Sequence, residues 1–410
     1  MWMDKRYAYV VKVLLLLVSL ALLRQPAPVS AAEIHGRSST QFIWYNDSLD
    51  GGNQKSLSEY LQVTMTGLDS AGKLSIQGYG RAVYDVKNGG EVADRIYYLY
   101  ADYKNLLDRA DVRIGRQFVN FSAGSSLMDG VQVDVKNVGP VGFTLAGGRD
   151  ISFGESDTLT SHASAAGFSA YLAGYKNTEL DISYFRKYDY TNISADTIGA
   201  NFTQYLLDSV KLYANARYDL TAEATSEALA GVKYFPFLDL MLSAEYYESY
   251  PTFDSTSIYS VFAVDKYKER AFTGEYTIIS WLDLSASYYH ELYGEDSRAG
   301  VYELGFKVRP GISTTVSLYR DGRRGYYGEL DGYKISVEYS KFGKWKMAAG
   351  YDHDVYERDN STGEETAKKY WVSGKYIFAK NMSSSFRVED NVNITYSKDM
   401  RGKVAFDYEF

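Results

Sequence analysis

The 410-residue sequence has no cysteine, six prolines and four histidines. Without cysteine there are no disulfides, no thiolate metal site and no covalent haem attachment of the C-x-x-C-H kind. With so little proline, segment after segment lacks the residue that removes a backbone donor and interrupts a ladder. Long apolar runs are missing as well. After residue 32 no stretch reaches roughly 18 apolar residues, so no helix is expected to span a bilayer. Positive charge is in deficit, with 44 Lys+Arg against 52 Asp+Glu and a net charge of −8, which argues against nucleic acid as a partner.

The first 32 residues differ from the rest. They carry Lys5, Arg6 and Lys12, then the apolar run Val13 to Leu23, then Ser30, Ala31 and Ala32. A charged start, a short apolar stretch and small residues form the pattern of a cleaved export signal, cut after Ala31 or Ala32. The run is too short to cross about 30 Å of hydrocarbon as a helix. Residues 33–410 are expected to form a single domain with 40 Lys+Arg and 51 Asp+Glu, a net charge of −11. An exported chain of this size without disulfides relies on backbone pairing and burial.

Tyrosine is abundant, at 40 residues, with 19 Phe and 5 Trp. Alternation runs through the sequence. In "KLSIQGYGRAVYDV", Leu74, Ile76, Ala82, Tyr84 and Val86 fall on one face, while Lys73, Gln77, Arg81 and Asp85 fall on the other. "VQVDVK" sets Val131, Val133 and Val135 against Gln132, Asp134 and Lys136. "YELGFKVR" and "YKISVEYS" repeat the pattern. A period of two is that of a strand with unlike faces. Short connections such as "NLLD", "SWLD" and "FGKW" take turns with longer polar ones such as "VKNGGEVAD", "NFSAGSSLMDG" and "ERDNSTGEETAK". Short turns on one side, long loops on the other and strands of two-faced character are the signature of an antiparallel up-and-down transmembrane β-barrel. Closure pairs every backbone group, as lipid requires. The count is about 22 strands (range 18 to 22), all-β, with both ends periplasmic. Trp281 and Trp345, beside short turns, are expected in the inner aromatic girdle.

The ending "KVAFDYEF" places Val404, Phe406, Tyr408 and Phe410 on one face. It resembles the final strand of bacterial outer-membrane barrels, whose aromatic face and terminal Phe are read by the barrel-assembly machinery. Phe406, Tyr408 and Phe410 match that signal. The stretch "VRIGRQFVNFSAGSSLMDGVQVDV" resembles the porin pattern in which a "GRQ" strand leads into a loop folded into the pore. That resemblance implies a constriction near Arg113, Gln117 and Asp129, with an ordinary surface hairpin as the alternative.

The expected lumen faces carry both signs: Lys73, Arg81 and Asp85; Asp111, Arg113, Asp134 and Lys136; Lys211 and Arg217; and Glu303, Lys307, Arg309, Lys334 and Glu338. Mixed charge implies a wet wall with little selectivity, or one paired with an occupant. No catalytic trio is legible among Ser, Asp and the histidines His35, His162, His290 and His353. In "YDHDVY", Asp352 and Asp354 supply only two ligands on one face, too few for a metal site. "GLDSAGKL" has Gly67, Gly72 and Lys73 of a phosphate loop, but Leu74 stands where Ser or Thr would hold Mg²⁺, and no helix follows. It reads as a turn.

A 22-strand barrel has a backbone diameter of about 44 Å. Its first strand begins within a few residues of the expected cleavage site, which argues against a plugged TonB-dependent receptor. Two readings follow. In length, Tyr-rich strands and mixed-charge lumen the chain looks like the porin component of porin–cytochrome conduits of metal-reducing bacteria. That resemblance implies a sheath around a multihaem cytochrome, with haem only on the partner and no cofactor on this chain. The alternative is a passive diffusion porin, general or substrate-selective, with an inward loop around residues 118–130.

Overall fold

The computed structural model describes residues 32–47, 52–89, 92–151, 162–250, 266–326, 328–341, 343–357, 363–394 and 398–410. The expected export signal lies outside them, apart from Ala32. The described chain forms 22 strands. In chain order the first eleven are β1 (Glu33–Asp47), β2 (Gly52–Thr66), β3 (Leu74–Asp85), β4 (Ala93–Leu106), β5 (Ala110–Phe121), β6 (Gly124–Val138), β7 (Val141–Asp150), β8 (Ala163–Tyr175), β9 (Thr178–Asp189), β10 (Asn192–Leu206) and β11 (Val210–Asp219). The rest are β12 (Ala224–Phe237), β13 (Leu240–Ser249), β14 (Tyr267–Ile279), β15 (Leu282–Tyr293), β16 (Ser297–Gly311), β17 (Thr314–Gly325), β18 (Glu329–Lys341), β19 (Trp345–Glu357), β20 (Glu365–Ala379), β21 (Met382–Val392) and β22 (Asp399–Glu409).

Each strand pairs antiparallel with its neighbour in sequence, and β22 returns to β1. The seam sets Ser38 opposite Tyr408, Thr40 opposite Phe406 and Phe42 opposite Val404. Backbone bonds of 2.8 and 3.0 Å between Gly36 and Phe410 complete it. The sheet is a closed antiparallel barrel with no free edge along the seam, which removes the usual hazard of exposed ladder groups.

The alternation in the sequence becomes the sidedness of the wall. Ile76, Leu99, Ile114, Leu145, Ile182, Phe272 and Leu304 are exposed, and they share the outer face. The opposite face carries ion pairs such as Lys104–Asp111, Lys136–Asp111 and Lys334–Asp321. An outward apolar band of this kind is stable only against hydrocarbon. A shallow apolar hollow of about 690 Å³ between Leu242, Phe272, Tyr288 and Leu304 lies on this outer face, where Ala244, Gly274 and Ala286 leave space. Trp281 and Trp345 are exposed beside short turns.

Aromatic and glycine residues are matched across strands. Trp44 stands opposite Gly402, Tyr213 opposite Gly231, Tyr302 opposite Gly322 and Trp371 opposite Gly350. A Cβ built on Gly350 would fall 2.4 Å from the Trp371 ring, so the ring lies flat over the bare backbone. This pairing shields glycine backbone that would otherwise weaken a strand. It gives these tyrosines, tryptophans and glycines a structural role.

"GLDSAGKL" is the turn between β2 and β3. The Asp69 carboxylate accepts bonds from the Lys73 N–H at 2.6 Å and the Leu74 N–H at 2.9 Å. Those donors, Leu74 first, hold its pKa below the ordinary carboxylate value.

Some connections depart from the sequence reading, and the one after β5 does so with most consequence. "NFSAGSSLMDG" reads as a long polar loop. Instead β5 and β6 run through it as ladder, Phe121 opposite Gly124, with Ser122 and Ala123 as the whole turn. The residues are strand-forming because their inner face finds an apolar surface that the local sequence does not reveal.

Candidate functional site

Three glycines in register mark where the β5–β6 hairpin leaves the wall. Gly115 faces Gly130, and Gly130 faces Gly148. Gly115 has φ of +130°, which a side chain would strain. The ladder between β4 and β5 ends at Leu99 and Arg116, although β4 continues to Ala93 and β5 to Phe121. Arg116 donates to the Ile96 carbonyl at 3.2 Å, covering one acceptor on the edge so exposed.

Beyond that line the hairpin folds inward. Its tip seats on the inner face of β8 to β11. Val119, Phe121, Ala123 and Met128 form a buried cluster with Ala146, Ala165 and Phe185. The Phe121 and Phe185 rings are 6.1 Å apart. Gly167 and Gly199 make the hollow: a Cβ at Gly199 would fall 2.2 Å from the Ala123 nitrogen. Polar ties fix the tip. Ala123 N–H donates to Ser183 Oγ at 2.7 Å, Thr197 Oγ1 donates to the Ala123 carbonyl at 2.8 Å, and Arg217 Nε donates to the Ser122 carbonyl at 3.2 Å. The Ser122 hydroxyl donates to Asp181, and the Ser126 hydroxyl to Asp150. The other face of the hairpin, with Phe118, Asn120 and Ser125, stays exposed.

Below the hairpin the inner wall is ionic. On β4 to β6, Arg113 lies 3.1 Å from Asp102, Lys104 lies 3.1 Å from Asp102 and 3.0 Å from Asp111, and Lys136 lies 2.5 Å from Asp111. Tyr171 donates to Asp134 at 2.8 Å, and Lys136 stands 3.5 Å from the same carboxylate. Asp102 and Asp111 are almost wholly buried. Three carboxylates and three cations neutralise one another, so this patch has no net sign to offer a solute. Arg113 also lies over the Tyr100 ring at 4.3 Å.

The remaining residues marked in the sequence are spread around the barrel. Arg81 lies over Tyr97 at 5.8 Å, and Lys211 lies near Tyr205 and Tyr213. Lys73 bonds the Asn105 carbonyl of the neighbouring turn at 3.0 Å, at the rim rather than along the wall. Asp85 caps the turn after β3 by accepting from the Lys87 and Asn88 N–H groups. Arg309 pairs with Asp283, and Lys334 with Asp321 at 3.1 Å. Glu303 stands opposite Asp321, Lys307 opposite Ser317 and Glu338 opposite Thr315. Gln117 is completely buried, its amide donating to the Gly130 carbonyl at 3.2 Å. Asp129 stands opposite Arg116 at the base of the inturned hairpin, on the same hairpin face as Phe118 and Ser125, and takes a bidentate bond of 2.8 and 3.0 Å from Arg116. His353 and its neighbours also separate: Asp352 and Asp354 face Lys334 and Gly332, while His353 takes the opposite face.

Two features lie outside those residues. Asp102 and Lys104 were legible, since "YLYADYK" alternates Tyr98, Tyr100, Asp102 and Lys104 on one face. The other is a tyrosine arc on β2 to β4. Tyr60 and Tyr79 are 6.4 Å apart at 21°, and Tyr79 and Tyr97 are 5.1 Å apart at 22°. A register shift between Tyr79 and Gly80 gives Tyr79 two tyrosine neighbours on β4. No local pattern announces that bulge.

Over 92% of this chain and 99% of the other, the barrel superposes on the P pilus usher (PapC) translocation pore with a TM-score of 0.53 at 9% identity. The chain shares the closed transmembrane β-barrel fold of that pore. OccAB2 of Acinetobacter baumannii covers 94% of this chain and 99% of its own, at 11% identity and a TM-score of 0.49. OpdK, an outer membrane protein of Pseudomonas aeruginosa, covers 93% and 99%, at 9% identity and a TM-score of 0.48. No protein-family model matches the chain, and no curated protein matches it either. Among the described residues no group of three or more His, Asp or Glu could hold a metal ion.

Proposed function

We propose that this barrel is a passive diffusion porin of the bacterial outer membrane, selective by virtue of a lumen narrowed from within. The observation that carries this reading is the seated β5–β6 hairpin. It obstructs one side of the lumen with the chain's own residues and, among the described residues, leaves the β1–β4 side open, as a filter does. Burial of Val119, Phe121 and Met128 contributes about 1.5–3 kcal/mol each, enough to hold the constriction as part of the fold. The paired charges on the wall keep the path wet without presenting a single-sign ring. No enzymatic role is assigned, and haem or any other cofactor is not part of the proposal for this chain. Outer-membrane lipid is its solvent, and the barrel-assembly machinery, reading Phe406, Tyr408 and Phe410, is its expected partner.

A cytochrome sheath is the competing reading, and the comparisons favour the porin. A sheathed occupant would have to share the lumen with the hairpin. The test is single-channel recording of the purified barrel in planar bilayers, alongside haem staining of the same preparation. Steady, partner-independent currents with no haem band support the porin. A co-purifying haem protein whose removal opens an otherwise silent channel overturns it.

A further inference from the structure

The open side of the lumen has a chemistry of its own. A concavity of about 500 Å³ on the inner wall is lined by Tyr60, Tyr79 and Tyr98 with Arg37, Gln41 and Gln62. That volume is within the range of small-molecule clefts. The near-parallel rings of Tyr60, Tyr79 and Tyr97 step across three strands in offset stacks, with centroids 6.4 and 5.1 Å apart. The hydroxyl of Tyr98 accepts from Gln62 at 3.1 Å, which turns the polar edge toward the amides and away from the ring faces.

The charges bordering this surface narrow the ligand class. Arg37 is bound to Asp407 at 2.9 Å, so its charge is already matched. Arg81 stands 5.8 Å from the Tyr97 ring, where a cationic ligand would be repelled. The acidic barrel disfavours anions. What suits stacked rings rimmed by amides and a hydroxyl is an uncharged solute with flat C–H faces and many hydroxyl groups. We infer that the tyrosine arc is a binding station for a neutral linear oligosaccharide, its sugar rings stacked on Tyr79 and its neighbours and its hydroxyls bonded by Gln41 and Gln62. A second arc supports a path with more than one station. At the end of β15, Tyr293 lies 5.0 Å from Tyr267 and 5.2 Å from Tyr326.

This inference rests on the porin reading, and one experiment separates the two. Single-channel currents are recorded with maltohexaose added as the probe, with benzoate and choline as charged aromatic and cationic controls. Discrete current blocks by maltohexaose, absent with both controls, are expected. Tyr79→Ala shortens the blocks about tenfold, whereas Tyr79→Phe, which keeps the ring, preserves them. Currents that run uninterrupted in maltohexaose overturn the oligosaccharide station while the porin stands. So does block by benzoate or choline in place of the sugar, or a folded Tyr79→Ala barrel that blocks like the parent. A silent bilayer overturns the porin reading, and this inference with it.

Discussion

Gly199 faces the backbone of Ser122 and Ala123 so closely that no side chain fits between them. The hairpin seat therefore depends on a missing Cβ. Gly199→Leu is expected to unseat the tip while leaving the barrel ladders intact, because the new side chain points inward and touches no wall neighbour's backbone bonds. Single-channel conductance should rise and become noisier. A variant with parental conductance would show that the tip does not narrow the path. A second residue-scale test uses the ring-over-glycine pairs. Gly142 stands opposite Tyr171, and a Cβ there would fall 2.3 Å from its ring. Gly142→Val forces Tyr171 off the wall and away from Asp134, an overpacking cost of about 1–3 kcal/mol. The heat-induced gel-mobility shift of the folded barrel should occur at lower temperature. A barrel as heat-resistant as the parent would count against this packing.

At the scale of elements, the hairpin separates what the sequence shows from what it hides. Alternation in "VQVDVK" or "YELGFKVR" is local, so strands, sidedness and the barrel are legible from residue types alone. The inward fold is not. The sequence points to a constriction only through the short "GRQ" stretch, and it reads "NFSAGSSLMDG" as loop. Phe121 and Met128 are buried by Ala146, Ala165 and Phe185, which lie on other strands. Once β6 continues through that stretch, the strand period puts Asp129 opposite Arg116 on the hairpin face of Phe118 and Ser125. Replacing residues 118–127 by a two-glycine turn tests the element as a unit. The wall ladders up to Leu99–Arg116 and Val131–Gly147 do not include this segment. The shortened barrel should still fold and show severalfold higher conductance. Unchanged conductance in a folded barrel would place the narrowest point elsewhere.

For the whole molecule, charge is the property that local pairing leaves behind. The ionic patch on β4 to β6 is internally neutral, and Arg37–Asp407, Lys334–Asp321 and Arg323–Glu291 are matched pairs as well. Residues 33–410 nonetheless carry 11 more acidic than basic side chains. The long-range field of the barrel is therefore negative, and it should favour cations in the approach to either mouth. In a salt gradient of potassium chloride the reversal potential should have the sign of modest cation selectivity at neutral pH. Screening works over about 10 Å at 0.1 M salt, so the preference should weaken as salt is raised. It should also disappear as pH falls through the ordinary carboxylate range near about 4, where Asp and Glu take up protons and the lysines and arginines keep theirs. Anion selectivity at neutral pH would mean that the path is governed by a few exposed cations at its narrowest point, and that the acidic surplus lies where permeating ions do not sense it.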